Sequence, residues 1–413
     1  MFPNKRKIIN DPVYGFITIP DELLFDIIEH RYFQRLRRIK QLGLTHLVYP
    51  GALHTRFHHA LGAMYLVKQA VDTLRLKNIN ITPAEEQGVL LAILLHDIGH
   101  GPFSHALENC LVFDLTHEDL SVLFMERLNR IFTGKLDLAI EIFKNRYPKK
   151  FLHQLISGQL DMDRMDYLKR DSFYTGVSEG VINSDRLLNM LTVVNDELVV
   201  EAKGIYSVEK FIVARRLMYW QVYLHKTVIV AEQMLVHILR RAKELSEKGH
   251  PLFATPALEV FLKQRFTQAD FISKEHLLDS FAELDDSDLS ASIKVWKQDK
   301  DPVLSTLCKH LVERHLFKIE IQKQEFLQEK IEGIYAEVSK QLSVSPEEVN
   351  CFVYSGIIAN NAYNPKEDKI NILNKDGNLS DIANDSAQLN ISVLSETIRY
   401  HYLIYPKTIN PII

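Results

Sequence analysis

The stretch from Leu90 to Glu108, LLAILLHDIGHGPFSHALE, limits what this chain can build more than any other part of it. Its first half is aliphatic on every side, the composition of a helix buried all round. Yet the run passes straight into His96 and Asp97, then Gly99, His100, Gly101 and Pro102, and reaches His105. Buried imidazoles and carboxylates cost free energy unless they are paired or hold a metal ion. The stretch therefore predicts a central apolar helix whose C-terminal end is a site, closed by a turn rich in glycine and proline.

The rest of the chain frames that helix. KIINDPVYGFITIP alternates β-branched and aromatic residues around Asp-Pro and Gly, which predicts a short hairpin. Leu24, Ile27, Ile28, Phe33, Leu36 and Ile39 recur at helical spacings, with Gly43 as the stop. Further helices are expected from Thr55 to Leu76, from Pro83 to His96, between His117 and Tyr147, through QLDMDRMDYLKRDSFYT up to Gly176, and from Ser207 to about Lys330. LTVVNDELVV, with Asn-Asp at its centre, predicts a second hairpin inserted in the helical body. From about Ser345 short strand-like runs alternate with Asn, Asp, Gly and Pro. The fold class is thus mainly α, a helical core over residues 1–330 with short β-hairpins and a small C-terminal α/β lobe over 331–413.

Composition excludes several classes of function. A formal charge of −4 over 413 residues gives no global reason for a polyanion partner. Cys110, Cys308 and Cys351 are far apart and form no CxxC pair, so neither a disulfide framework nor a thiolate zinc site is indicated. The longest apolar run, Val89 to Leu95, is too short to span a bilayer, and the N-terminus shows no export signal. A cytoplasmic location without a membrane partner is expected.

Adjacent His96 and Asp97 can serve one ion if the backbone around them is held firmly, as a buried helix would hold it. His59 in TRFHHALG and Asp163 in LDMDRMDY would complete a set of two imidazoles and two carboxylates, suited to Mn, Fe, Zn, Ni or Mg with positions left open. Spacing alone does not join these four residues. The ordered series INDPVYGFI, FQRLRRIKQLG, YPGALHTRF, HDIGHGPFSH, HED, DMDRMDYLKRD and YLHK does, because it resembles the HD superfamily of metal-dependent phosphohydrolases, and within it the deoxynucleoside triphosphate triphosphohydrolases, with the HD motif region over about 50–175.

That resemblance implies His59, His96, Asp97 and Asp163 as metal ligands. It implies Arg56, Arg164, Tyr167, Asp171, Arg215 and Lys226 as contacts to phosphates or sugar, and Gln41 and Leu42 as the pair lying against a deoxyribose. His105 with Glu108 matches the catalytic His and acid pair, and His100 and His117 match histidines lining the phosphate pocket. The implied reaction is hydrolysis of a dNTP, dGTP favoured, to deoxynucleoside and inorganic triphosphate: the ion lowers the pKa of water, the cations neutralise charge growing on the phosphate, and His105 protonates the departing 5′-oxygen. Glu29, Gln34 and Arg37 stand where relatives bind an activating guanine nucleotide, and the resemblance implies a homo-oligomer, dimer or tetramer. Relatives commonly carry a glutamate where this chain has His58.

Other readings of single features stay open at this level. His54, His225 and His310 read as core histidines, and Tyr219, Trp220 and Tyr223 as core aromatics. The run RLRRIK spreads its cations over several helix faces, so part of it reads as solvated charge. DDSDL, from Asp285 to Leu289, reads as an N-cap and first helical turn. The alternatives to dNTP hydrolysis are an HD hydrolase of another phosphate ester, or a nucleotide or single-strand nucleic-acid sensor with little turnover.

Overall fold

The computed structural model describes residues 7–103, 110, 112, 114–360, 363, 369–385 and 397–409. The chain opens with the expected hairpin, β1 (Ile8–Asp11) and β2 (Gly15–Thr18), paired from Ile8↔Thr18 to Asp11↔Gly15. Asp11 shapes its turn by accepting from the backbone N–H groups of Val13 and Tyr14 at 2.9 and 3.0 Å.

The helix expected to run on to Gly43 is interrupted. α1 (Glu22–Glu29) ends at His30, whose backbone is extended at φ −68°, ψ 140°. The His30 ring nitrogen then accepts from Tyr32 N and caps the short α2 (Arg31–Gln34), which tightens into a 3-10 turn over Arg35–Arg38. The break puts Tyr32, Phe33, Arg35 and Leu36 all in the interior.

The core is built by α3 (Arg56–Leu76), α4 (Pro83–Leu95), α5 (His117–Ile131), α6 (Asp137–Phe143), α7 (Lys150–Gln154), α8 (Met162–Thr175) and α9 (Ser184–Met190). α4 is buried along Gly88–Leu95, as its apolar sequence requires, and packs between α3 and α6. α3 crosses α8 so closely at Gly62 that a Cβ there would stand 2.0 Å from Asp166 Oδ1, so no larger residue fits.

The hairpin β3 (Leu191–Val194) and β4 (Glu197–Glu201) turns at Asn195 and Asp196, both with positive φ. α10 (Ile205–Met218) and α11 (Lys226–Glu247) follow, separated by a π-helical turn at Tyr219–Tyr223. Then come α12 (Pro256–Lys263), α13 (Gln268–Ser273), α14 (Glu275–Ala282), α15 (Asp286–Trp296) and α16 (Pro302–Val312). No single helix among the described residues is long and apolar enough to cross a membrane.

One element departs from the helical expectation before residue 330. β5 (Lys318–Gln322) is a strand, and its partner lies far along the chain. After α17 (Gln328–Leu342) and α18 (Pro346–Val349) come β6 (Tyr354–Asn360), β7 (Asn371–Leu373), β8 (Leu379–Asp381), α19 (Ile382–Asp385) and β9 (Ile398–Tyr405). β9 lies between β5 and β6, and β7 pairs in parallel with β4 through Val200↔Ile372. Both sheets therefore tie strands on either side of residue 330 together.

The N-terminus of α4 carries a titratable clamp. Thr82 and Glu85 form a capping box, with Pro83 at the first helical position. Glu85 also accepts from Tyr147 Oη at 2.8 Å and Lys149 Nζ at 2.9 Å. Burial opposes its charge, but these donors outweigh it and hold the carboxyl at about 2. Because that value lies below the unfolded one, the stabilisation is complete above about pH 4.3 and is lost as pH falls toward 2. Glu85→Gln should cost about 2–3 kcal/mol at pH 7 in denaturant titrations. The difference from the wild type should narrow in acid; a pH-independent gap would contradict the assignment.

Candidate metal centre and nucleotide pocket

α8 sorts its side chains by helical spacing. Asp163, Tyr167 and Asp171, four residues apart, line a cavity of about 420 Å³, while Asp166 and Arg170 face the interior. Its N-cap, Asp161, accepts from Arg164 N at 2.6 Å and fixes where the helix begins. α3 contributes Arg56 and His59, one turn apart, and α4 delivers His96 as its C-cap with Asp97 next.

His59, His96 and Asp163 offer ligand atoms within 4.8 Å of one another. Asp163 Oδ1 stands 3.0 Å from His59 Nε2 and 3.5 Å from His96 Nε2, and Asp97 Oδ1 is 3.4 Å from His96 Nε2. Asp97 Oδ2 is 3.7 Å from His59 Nε2.

Each imidazole is fixed by its other nitrogen. His59 Nδ1 pairs with Asp166 Oδ2 at 2.7 Å, and His96 Nδ1 with the carbonyl of Ile93 at 2.6 Å. Both Nε2 atoms are buried without a hydrogen-bond partner. Two orphaned Nε2 atoms facing carboxylates, with both tautomers set from behind, form a donor set that fits a divalent ion. Burial alone would lower the His59 pKa, but Asp163 and Asp166 outweigh it and hold it at about 10.

A second group, Asp97, His100 and His117, adjoins the first. His100 Nε2 lies 3.3 Å from Asp97 Oδ1, and the His100 and His117 rings stack at 4.0 Å. Burial, with Arg56 nearby, keeps His100 well below the ordinary histidine pKa. Arg56 also donates to Asp97 Oδ2.

The turn that presents these groups is pinned from three sides. Arg35, fully buried, donates to the carbonyls of Ile98 and His100 at 2.9 and 2.8 Å, between the rings of Phe124 and Phe281. It is thus no solvated charge. Ser121 Oγ donates to the His96 carbonyl at 2.7 Å and accepts from Gly99 N at 2.9 Å. A Cβ on Gly99 would meet the His117 carbonyl at 2.1 Å. Asp286, which the sequence presents as part of a helix cap, also accepts from Phe103 N at 2.8 Å and Lys40 N at 3.0 Å.

Of the residues expected from the sequence, Gln41, Leu42, Arg56, Asp97, His100, His117, Asp163, Arg164, Tyr167 and Asp171 line the one cavity. Arg215 and Lys226 are outside its lining. Arg215 is buried and donates to Gln159 at 3.2 Å, and Lys226 is exposed at the first position of α11. His105 and Glu108 lie outside the described residues. Glu29 is exposed, Gln34 bonds to the Ile28 carbonyl and to Arg37, and Arg37 lies over the Phe57 ring. His58 completes the cap of α3 with Thr55.

Sequence reasoning passed over several residues that the cavity uses. Tyr223 and Tyr219, taken as core aromatics, line it, and so does Glu232. Tyr223 Oη and His54 Nε2 each bond an oxygen of Asp171 at 2.7 Å. His54 also stacks on Tyr174 at 4.4 Å. Asp166 lies three residues beyond Asp163 in the same motif, a spacing that could have marked it as the partner of a ligand on the facing helix.

The HD domain family model matches residues 56–171, and the HD associated region matches 182–251. The YwfO protein of Bacillus subtilis is 34% identical over 98% of this chain and 94% of its own length. A crystal structure of a phosphohydrolase from Bacteroides thetaiotaomicron is 52% identical, covers 98% of this chain and all of that one, and superposes with a TM-score of 0.94. The human deoxynucleoside triphosphate triphosphohydrolase SAMHD1 is 31% identical over 58% of this chain, and the Dictyostelium discoideum SAMHD1 homolog 32% over the same share. The chain spans about half the length of those two proteins, 45% and 50%. The tautomer-locked imidazole pair, the adjoining carboxylates and these matches together place the chain in the HD-domain superfamily of metal-dependent phosphohydrolases, in the branch related to SAMHD1.

Proposed function

We propose that this protein hydrolyses deoxynucleoside triphosphates, dGTP the favoured one, to deoxynucleoside and inorganic triphosphate. The observation that carries the proposal is a single cavity in which the metal-facing carboxylates Asp97 and Asp163, the cations Arg56 and Arg164, and the pair Gln41 and Leu42 meet. Its volume suits a nucleotide.

When bound, a divalent ion such as Mn supplies Lewis acidity and brings the pKa of water near neutrality. The protein's own groups do the rest. His59 and His96 present Nε2 to the ion, and Arg56 and Arg164 hold the phosphates and offset charge gathering on their oxygens. Asp171, oriented by His54 and Tyr223, is placed to accept from a sugar hydroxyl. The resemblance assigns the proton for the departing 5′-oxygen to His105, supported by Glu108. Binding of an activating nucleotide near Glu29, Gln34 and Arg37, and assembly into dimers or tetramers in the cytoplasm, belong to the same reading.

The test incubates the metal-loaded protein with each dNTP and with GTP, in Mn and in Mg, singly and in pairs, and resolves products by ion exchange. Intact triphosphate with a deoxynucleoside is the expected result. Orthophosphate, or no product, would reject the reading in favour of another phosphate ester or a sensor.

A further inference from the structure

Glu232 sits on the second turn of α11 and lines the cavity, yet the chemistry above gives it no task. Among the described residues it has no hydrogen bond or ion pair. Burial raises its carboxyl to about 7. Its neighbours are known from Gly43: a Cβ on that glycine, whose φ is +48°, would lie 3.8 Å from Glu232 Oε1 and 3.3 Å from the Phe103 carbonyl. Gln41, two residues before Gly43, carries a buried Oε1 with no partner. This side of the cavity thus carries one buried acceptor without a partner, Gln41 Oε1, and beside Gly43 a part-exposed carboxylate with no hydrogen bond to the described residues; a buried acceptor left so is costly unless an occupant brings donors.

We propose that Glu232 is the base-selecting residue of this pocket, its carboxylate accepting the N1–H and the 2-amino hydrogen of a guanine. The inference rests on the nucleotide reading of the site. Guanine alone among the four bases offers two parallel N–H donors on one edge. Adenine and cytosine set a ring-nitrogen acceptor beside their amino group, and thymine flanks its single N–H with carbonyls, so each would face the carboxylate with a lone pair. Phe103, Tyr219 and Tyr223, which line the same cavity, supply apolar faces for a base.

The test uses nucleosides, which need no phosphate chemistry. At pH 8, above the pKa of Glu232, calorimetry compares deoxyguanosine, deoxyadenosine, deoxycytidine and thymidine binding to the full chain and to its Glu232→Gln variant. Deoxyguanosine should bind the wild type about tenfold more tightly than thymidine, and the variant should lose most of that ratio. Equal binding of the four nucleosides, no binding of any, or an equal loss for all four in the variant would overturn the assignment. Triphosphate release is scored separately, so failure of the hydrolysis reading and failure of base selection give different results.

Discussion

Asp163→Ala should abolish turnover and metal content together, with activity falling by about a thousandfold or more. Asp163 Oδ1 is the carboxylate oxygen that faces both orphaned imidazole nitrogens. Burial opposes its charge, but His59 and His96 outweigh that and keep it ionised. Alanine leaves the two Nε2 atoms with Asp97 as the one carboxylate beside them, at 3.4 and 3.7 Å, and Asp97 is already engaged by Arg56. Elemental analysis of the purified variant reads the metal and product release reads the activity. A variant that keeps its metal and full activity would show that the ion, if bound, sits elsewhere. Loss of activity with metal retained would move Asp163 from ligand to a role in holding substrate.

The largest effect on stability should come from Arg170. Its guanidinium joins the N-terminal hairpin to the partner of His59: Nη1 donates to Asp11 Oδ2 at 2.8 Å, while Nε and Nη2 each donate to Asp166 at 2.9 Å. Asp166 then bonds His59 Nδ1, so one continuous run of buried charge connects Asp11 with the imidazole. Removing the middle member leaves two carboxylates buried without their cation, a loss of about 3–5 kcal/mol. Arg170→Leu should therefore lower Tm by roughly 4–6 °C in calorimetry. Arg170→Lys should recover only part of this, because an ammonium cannot fork across both oxygens of Asp166. A Tm within a degree of the wild type would show that the run contributes specificity of packing and little stability.

How far the sequence was legible follows from which interactions are local. The α4 helix, the hairpin at Asn195-Asp196 and the Asp285 cap all depend on residues within a few positions of one another. The break at His30 was not legible, because apolar spacing continues through it while a ring nitrogen caps a new turn. Nor was β5: KIEIQ alternates with period two, but its partner β9 is some eighty residues away and its charged side chains mask the pattern.

The candidate site divides in the same way. Residue type marked His96 and Asp97, since few arrangements other than a metal site make use of such groups at the end of an apolar helix, whereas His59 and Asp163 were joined to them only by the resemblance of the ordered motifs to the HD superfamily. Order could not say that Arg35 grips the turn through Ile98 and His100, because an arginine in a basic run looks like surface until packing encloses it. It could not give Asp286 its place beside Phe103, or put Glu232 in the wall of the cavity.

The sequence by itself thus determined the apolar helix, the glycine turn and the kinds of ligand atom available, because these follow from local spacing and from the cost of burying charge. Only the tertiary structure decided which nitrogen of each histidine faces the site, which cations stay in the cavity and which acceptors remain unsatisfied. Those outcomes depend on contacts between segments distant in the chain, where a shift of one residue in helix packing would change every partner.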